Sequence, residues 1–88
     1  MTTISLNNSN SLEIKRKLLG IMKDTIEKKH LKQTDAAEKL GIDQPKVSQI
    51  NNGKIEGFSL ERLLVFLTKL DYHVTITIGE HNQNELTS

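Results

Sequence analysis

The chain of 88 residues has no cysteine and no tryptophan, and its aromatic residues are limited to two Phe and one Tyr. Without cysteine it has no disulfide framework, no thiolate zinc site and no cysteine nucleophile. No apolar run approaches the ~18 residues that a membrane-spanning helix needs, and the first ten residues do not resemble a secretion signal. We therefore expect one small, soluble, cytoplasmic domain with a core built mainly from Leu and Ile.

Positive charge is concentrated in the first part of the chain. The formal net charge is only +1, which by itself argues against a nucleic-acid-binding protein. However, residues 1–54 carry ten Lys or Arg against six Asp or Glu, whereas residues 55–88 carry two against five. This asymmetry indicates a basic surface and calls for a motif that would use it.

Apolar residues at three- and four-residue steps predict a mainly α domain of four to five helices. The first helix covers about residues 11–29 with Asn10 or Ser11 as its N-cap, and the second covers about residues 33–40 and stops at Gly41. Helices of this spacing bury one face and leave the other in water.

Two further helices follow the same rules. Asp43 has N-cap chemistry for a third helix that stops at Gly53, and Ser59 has it for a fourth, Leu-rich helix that ends before Asp71. Pro45 is tolerated because it falls in the first turn of the third helix.

The segment that follows predicts a strand and, through it, a homodimer. Residues 73–78 alternate polar and apolar side chains, with Val74, Ile76 and Ile78 on one face. No other segment has strand periodicity, and a lone strand leaves its backbone groups unpaired. We therefore predict that two copies pair their C-terminal β-strands antiparallel about a two-fold axis. This gives a flexible arm (1–10), one domain with its dimerisation strand (11–79) and a flexible tail (80–88).

Residues 31–54, LKQTDAAEKLGIDQPKVSQINNGK, have the spacing of a helix-turn-helix. Ala37 is where the two helices would touch, and Val47 and Ile50 would anchor the second helix. Glutamine can pair with adenine, and lysine can reach guanine or phosphate. Serine can donate or accept a hydrogen bond, and a proline ring can contact a thymine methyl. The predicted base-reading residues are the outward ones: Gln44, Pro45, Lys46, Ser48 and Gln49.

This stretch resembles the lambda-repressor-like, or Xre-like, helix-turn-helix family. The matching residues are Gln33, Ala37, Gly41, Gln44, Val47, Ser48, Asn52, Gly53 and Lys54. The resemblance implies that the third helix enters the DNA major groove and that two protomers read half-sites about one turn, ~34 Å, apart. It also implies phosphate contacts from the helix ends, for which the candidates are Lys32, Gln33, Asn52 and Lys54.

The pattern at residues 58–78, FSLERLLVFLTKLDYHVTITI, is similar to the compact HigA-type antitoxins. This similarity implies a transcriptional repressor that binds operator DNA, neutralises a RelE/HigB-like ribonuclease toxin and represses its own operon. The sequence departs from the family pattern at Lys32, where Ser or Thr is usual, and at Asp71, where Gly is usual. The recognition helix also lacks Arg, the most frequent reader of guanine, so we expect an A/T-leaning target.

Other interpretations of the same residues remain open. The helical pair also suits a plain hairpin in a small bundle, a protein-binding adaptor, or a phage-type or chromosomal repressor without a toxin partner. The cationic group of Lys28, Lys29 and Lys32 suits either DNA phosphate or the solvated end of a helix.

The chain offers little for catalysis. His30, His73 and His81 have no recognised ligand spacing, and neither a nucleophile motif nor a phosphate loop is present. We predict no enzyme activity, metal, cofactor or small-molecule substrate.

Overall fold

The computed structural model describes residues 1–7 and 10–80 of the chain. These residues form four helices, α1 (Ser11–Lys28), α2 (Gln33–Leu40), α3 (Gln44–Asn51) and α4 (Leu60–Lys69). The predicted mainly α architecture is confirmed. None of the helices in the described ranges is long and apolar enough to span a membrane. Of the predicted arm and tail, residues 8, 9 and 81–88 lie outside the described residues.

Three of the helices begin with a side chain that caps the first turn. A side-chain oxygen accepts the backbone N–H three residues later, at 2.8 Å for Asn10, 3.0 Å for Asp43 and 3.1 Å for Ser59. Asn10 is thus the cap of α1, rather than Ser11. By contrast, Lys32 makes no side-chain cap bond at the start of α2. The first N–H groups of α2 are therefore left without a side-chain acceptor from their cap residue.

Each of the four helices is followed, one or two positions after its last residue, by a residue with left-handed backbone geometry. The φ angle is 52° at His30, 73° at Gly41, 75° at Gly53 and 70° at Asp71. In every case the N–H of the following residue donates to the carbonyl five positions earlier, at 2.8 to 3.0 Å, which satisfies the last turn. Glycine adopts this geometry without a steric penalty, whereas His30 and Asp71 adopt it at some cost.

The main core lies between α1 and α4, the two helices that pack most extensively against each other. It includes two aromatic rings, Phe58 and Phe66, whose centroids are 5.9 Å apart in an edge-to-face arrangement. The Arg62 guanidinium covers both rings at 5.4 and 5.5 Å. The main core consists of Ile14, Leu18, Leu19, Met22, Leu40, Ile50, Ile55, Phe58, Leu63, Phe66, Leu67 and Leu70.

A smaller cluster joins the end of α1 to α2 and α3. It contains Ile26, Ala36, Ala37 and Val47, with Val47 completely buried. The two alanines let α2 and α3 approach closely, because a longer side chain there would separate the helices. This cluster therefore sets the position of α3 relative to the rest of the domain.

The chain leaves α4 as a C-terminal segment without helix or strand hydrogen bonds through residue 80. Val74 is half-buried against the main core, whereas Ile76 and Ile78 are 69% and 91% exposed. Among the described residues, the predicted apolar face is thus anchored at Val74. No described residue forms a β-ladder with this segment, so the strand and its pairing across a dimer stay predictions.

The N-terminal arm approaches the same side of the domain. Ile4 is half-buried against the main core, while Leu6 is 61% exposed. Arm, α1, α4 and the C-terminal segment together line a groove of about 410 Å³. The arm is thus in contact with the main core through Ile4. The flexibility predicted for residues 1–10 stays a prediction.

Candidate nucleic-acid interface

The turn between α2 and α3 is short and defined by hydrogen bonds. At Gly41 the backbone turns into the left-handed region, and the N–H of Ile42 donates to Ala37 O at 3.0 Å. Asp43 then accepts the N–H of Lys46 and begins α3. The turn therefore contains Gly41, Ile42 and Asp43, a length typical of a helix-turn-helix.

One side of α3 is completely buried, so the other must face outward. Val47 and Ile50 are both 0% exposed. Among the predicted base-reading residues, Gln44, Pro45 and Gln49 are exposed. Three side chains with the chemistry to read bases are thus presented to solvent by a rigidly anchored helix.

The remaining two predicted base-reading residues are less accessible. Lys46 and Ser48 are half-buried. Asn52, which follows the last residue of α3, places its Nδ2 3.5 Å from Ser48 Oγ, a long hydrogen bond between residues four positions apart. A predicted base-reading residue and a predicted phosphate-binding residue are therefore neighbours. The four-residue spacing in the sequence could have predicted that the two side chains are neighbours. It does not show which rotamers they adopt.

The predicted phosphate-binding residues lie at the two ends of the helix-turn-helix unit. Lys32 and Gln33 are exposed at the start of α2, and Asn52 and Lys54 are exposed just after α3. The uncapped start of α2 adds backbone N–H groups to this arrangement, and such groups at a helix N-terminus favour anions. The unit thus combines an outward polar helix face with cationic or donor groups at both ends.

Lys29 has a partner within the domain. Its Nζ donates to Asp71 Oδ2 at 3.0 Å, and Lys39 Nζ donates to the same oxygen at 3.2 Å. The hydrogen bond from Lys29 is the main cause that lowers the pKa of Asp71 from its usual 3.8, and Lys39 acts in the same direction. Sequence reasoning missed this contact, since Asp71 lies 42 and 32 positions along the chain from its partners.

The histidines show no arrangement for chemistry within the described residues. His30 and His73 are exposed, and His81 lies outside the described ranges. The described part of the chain has no group of three or more His, Cys, Asp or Glu side chains that could hold a metal. The predictions of no metal, cofactor or catalysis stay predictions.

Comparisons with known proteins support the interpretation of this unit. Residues 2–79 match a family model described as a helix-turn-helix domain. A solved structure assigned to the XRE family of transcriptional regulators is 42% identical, with a TM-score of 0.76 over 81% of this chain and 80% of its own. No curated protein matches the chain.

Proposed function

This chain belongs to the Xre-like helix-turn-helix family, and we propose that it is a sequence-specific DNA-binding repressor of transcription. The observation that carries the proposal is the asymmetry of α3. Val47 and Ile50 are completely buried, while Gln44, Pro45 and Gln49 face solvent on the other side. A helix held in this way can enter the major groove as a rigid body.

Specificity comes from the exposed glutamines in this proposal. Gln44 is the first residue of α3, and the N-terminal part of a recognition helix is the part that meets base edges. Glutamine pairs best with adenine and Pro45 can contact a thymine methyl, which favours an A/T-leaning operator. Lys46 and Ser48 complete the set of base-reading residues once their half-buried side chains extend toward DNA.

Affinity comes from phosphate contacts on both sides of α3. The candidates are Lys32 and Gln33 at the uncapped start of α2, and Asn52 and Lys54 after α3. Each cation that neutralises a phosphate releases counterions, so binding must weaken steeply as salt rises. Catalysis, metals, cofactors and small-molecule substrates have no place in this mechanism, which requires only binding and suits the cytoplasm.

We propose that the functional unit is a homodimer paired through residues 74–78. Support comes from Ile76 and Ile78, which are 69% and 91% exposed on a segment that makes no backbone hydrogen bond to another part of the described chain. Antiparallel pairing with a second copy satisfies the backbone groups and covers both side chains. Two protomers related by a two-fold axis then present two copies of α3 to two half-sites.

The finer proposal is that the protein is a HigA-type antitoxin that neutralises a RelE/HigB-like toxin and represses its own operon. It is supported by the similarity of residues 58–78 to that subgroup. Co-purification with the product of an adjacent small basic gene, and relief of its growth arrest, tests the proposal. If no such gene lies beside this one, the stand-alone repressor becomes the correct description.

The main proposal is tested with DNA from upstream of the protein's own gene. Fluorescence anisotropy at two salt concentrations, with a scrambled duplex as control, measures affinity and its salt dependence. We expect tight, salt-dependent binding to the upstream DNA and much weaker binding to the scrambled duplex. If the protein ignores both duplexes at low salt, the fold serves as a protein-binding adaptor instead.

A further inference from the structure

The chain is bound to two other helices, α1 and α2, at the point where it leaves α4. One oxygen of Asp71 accepts from Lys29 Nζ, just after α1, and from Lys39 Nζ, on α2. Lys29 Nζ also donates to Leu70 O at 3.4 Å. In the described residues these are the ion pairs present, and both converge on the residue that precedes the C-terminal segment.

The next residue makes a second attachment, to the interior of α1. Tyr72 Oη lies 2.7 Å from Thr25 Oγ1, a hydroxyl that donates to Ile21 O at 2.8 Å. Because Thr25 uses its proton in that bond, Tyr72 is the donor between the two hydroxyls. Thr25 is 5% exposed and is the buried polar side chain of the described residues. We name this set of five residues the exit clasp: Thr25, Lys29, Lys39, Asp71 and Tyr72.

A gain in folding stability is a poor explanation for the presence of aspartate at position 71. Its backbone has a φ of 70°, a geometry that glycine adopts more readily than aspartate. Its side chain is 69% exposed, and ion pairs in that environment add little to folding stability. The contact nevertheless joins groups from three helices, so orientation is the property that it can control.

The exit clasp links the two parts that a dimeric DNA-binding protein must align. Lys39 lies on α2, the first helix of the helix-turn-helix, and α2 packs against α3 through Ala36, Ala37 and Val47. On the other side of the clasp, Val74 to Ile78 form the proposed pairing segment. The direction of that segment relative to α3 therefore depends on the contacts of Asp71 and Tyr72, together with the packing of Val74 on the main core.

We propose that Asp71 is a positioning residue that sets the spacing and orientation of the two recognition helices in the dimer. The inference rests on the proposed dimeric DNA binding. A change in exit angle at the clasp tilts each protomer relative to the two-fold axis. The two copies of α3 then no longer match half-sites separated by one turn of DNA, ~34 Å.

The matched variants are Asp71→Asn, Lys39→Gln and Lys23→Gln. Asparagine tolerates left-handed geometry, so Asp71→Asn removes the charge while it preserves the backbone. Lys39→Gln breaks the attachment to α2 and leaves Lys29 paired. Lys23 is exposed on α1 and outside the two ion pairs, so its variant controls for the loss of one positive charge.

The DNA probes are duplexes selected with the wild-type protein from a random pool, with the distance between half-sites then shortened or lengthened by single base pairs. A single half-site serves as a further probe. We expect Asp71→Asn and Lys39→Gln to weaken binding at the optimal spacing roughly two- to fivefold and to flatten the spacing preference. Lys23→Gln should keep the preference, and single half-site affinity should be equal for Asp71→Asn and wild type. If charge attraction alone decided the affinity, Asp71→Asn would bind every duplex more tightly than the wild type, because it carries one negative charge fewer.

A distance measurement tests the inference without DNA. The chain has no native cysteine, so Glu38→Cys, at an exposed position on α2, carries one spin label per protomer. We expect a narrow inter-protomer distance distribution in the wild-type and Lys23→Gln backgrounds and a broader one in Asp71→Asn and Lys39→Gln.

Two results would overturn the inference. The first is an unchanged spacing profile and distance distribution in both clasp variants. The second is loss of the dimer in Asp71→Asn, because the residue would then act on association rather than on orientation. Failure of the proposed function is recognised separately, in the wild type alone, which would then be monomeric or bind no duplex.

Discussion

The helix-turn-helix unit (residues 31–54) and the C-terminal exit (residues 70–80) are held in different ways. In the first, the turn, the cap of α3 and the buried contacts all come from residues close together in the sequence. In the second, the anchors are Thr25, Lys29 and Lys39, which lie 32 to 47 positions away. A locally determined recognition unit is thus joined to an exit whose direction depends on the rest of the fold.

The strongest test of this contrast compares two isoleucines. Ile50 is 0% exposed in the helix-turn-helix, whereas Ile78 is 91% exposed in the exit. We expect Ile50→Ala to lower the free energy of unfolding by about 2–5 kcal/mol, because it opens a cavity beneath α3. Ile78→Ala should change it by less than about 0.5 kcal/mol. Urea unfolding at protein concentrations below dimer formation measures both, and similar losses would contradict the assignment of Ile78 to a free surface.

A charge in the exit should act on association rather than on folding. We expect Ile76→Asp to raise the dissociation constant of the dimer by about 100-fold, or ~2.7 kcal/mol, because it places an unpaired carboxylate in the proposed pairing face. The monomer should keep its helical circular dichroism. Light scattering over a concentration series gives the result, with Ile76→Val as the control. If Ile76→Asp leaves the dissociation constant of the dimer unchanged, residues 74–78 do not form the interface.

Within the recognition unit, loss of a base contact should reduce sequence discrimination, whereas loss of a phosphate contact should reduce affinity for all DNA. We expect Gln44→Ala to cost about 1–3 kcal/mol on the preferred operator and to relax discrimination at one base. Lys54→Ala should weaken binding to all duplexes alike and lower the salt slope by about one unit. Anisotropy titrations on operator, single-base variants and scrambled DNA separate the two. Equal losses on every duplex from both changes would refute Gln44 as a base-reading residue.

The same substitution should have opposite signs at two glycines. Gly20 is exposed inside α1 with no atom within 4 Å of an added Cβ, so Gly20→Ala should stabilise the protein by about 1 kcal/mol. At Gly41, φ is 73°, and Gly41→Ala should destabilise it by about 1–2 kcal/mol. Thermal unfolding measures both variants. Stabilisation at Gly41 would show that the turn tolerates another geometry.

The smallest expected effect is a pH dependence at the exit clasp. Lys29 and Lys39 lower the pKa of Asp71 below its usual 3.8, so the folded state binds this proton more weakly than the unfolded state. Its contribution to stability is therefore complete above about pH 3.8 and is lost as the pH falls through the lower folded pKa. An NMR titration of the carboxyl group should show the lowered pKa, and Lys39→Gln should move it part of the way back. A wild-type carboxyl with an unshifted pKa would argue against the ion pairs in solution.

The helices and the recognition unit were predictable because their signals are local. Asn10, Asp43 and Ser59 cap the next turn, and Gly41 and Gly53 stop the helix before them, wherever the remainder of the chain lies. The resemblance to the family, rather than these local signals, identified Lys32 and Asp71 as departures from a pattern. It did not show what Asp71 contacts, because pairing over 32 or 42 positions leaves no periodic trace.

The sequence by itself determined which segments are helical, about where each begins and ends, and which side of α3 is apolar. These properties follow from backbone hydrogen bonds and from the 3.6-residue helical period, both of which act over a few residues. Only the tertiary structure decided that Ile4 reaches the main core and that Asp71 and Tyr72 bind α1 and α2. Those contacts depend on how whole helices pack, because a side chain distant in sequence becomes a neighbour only after the core has formed.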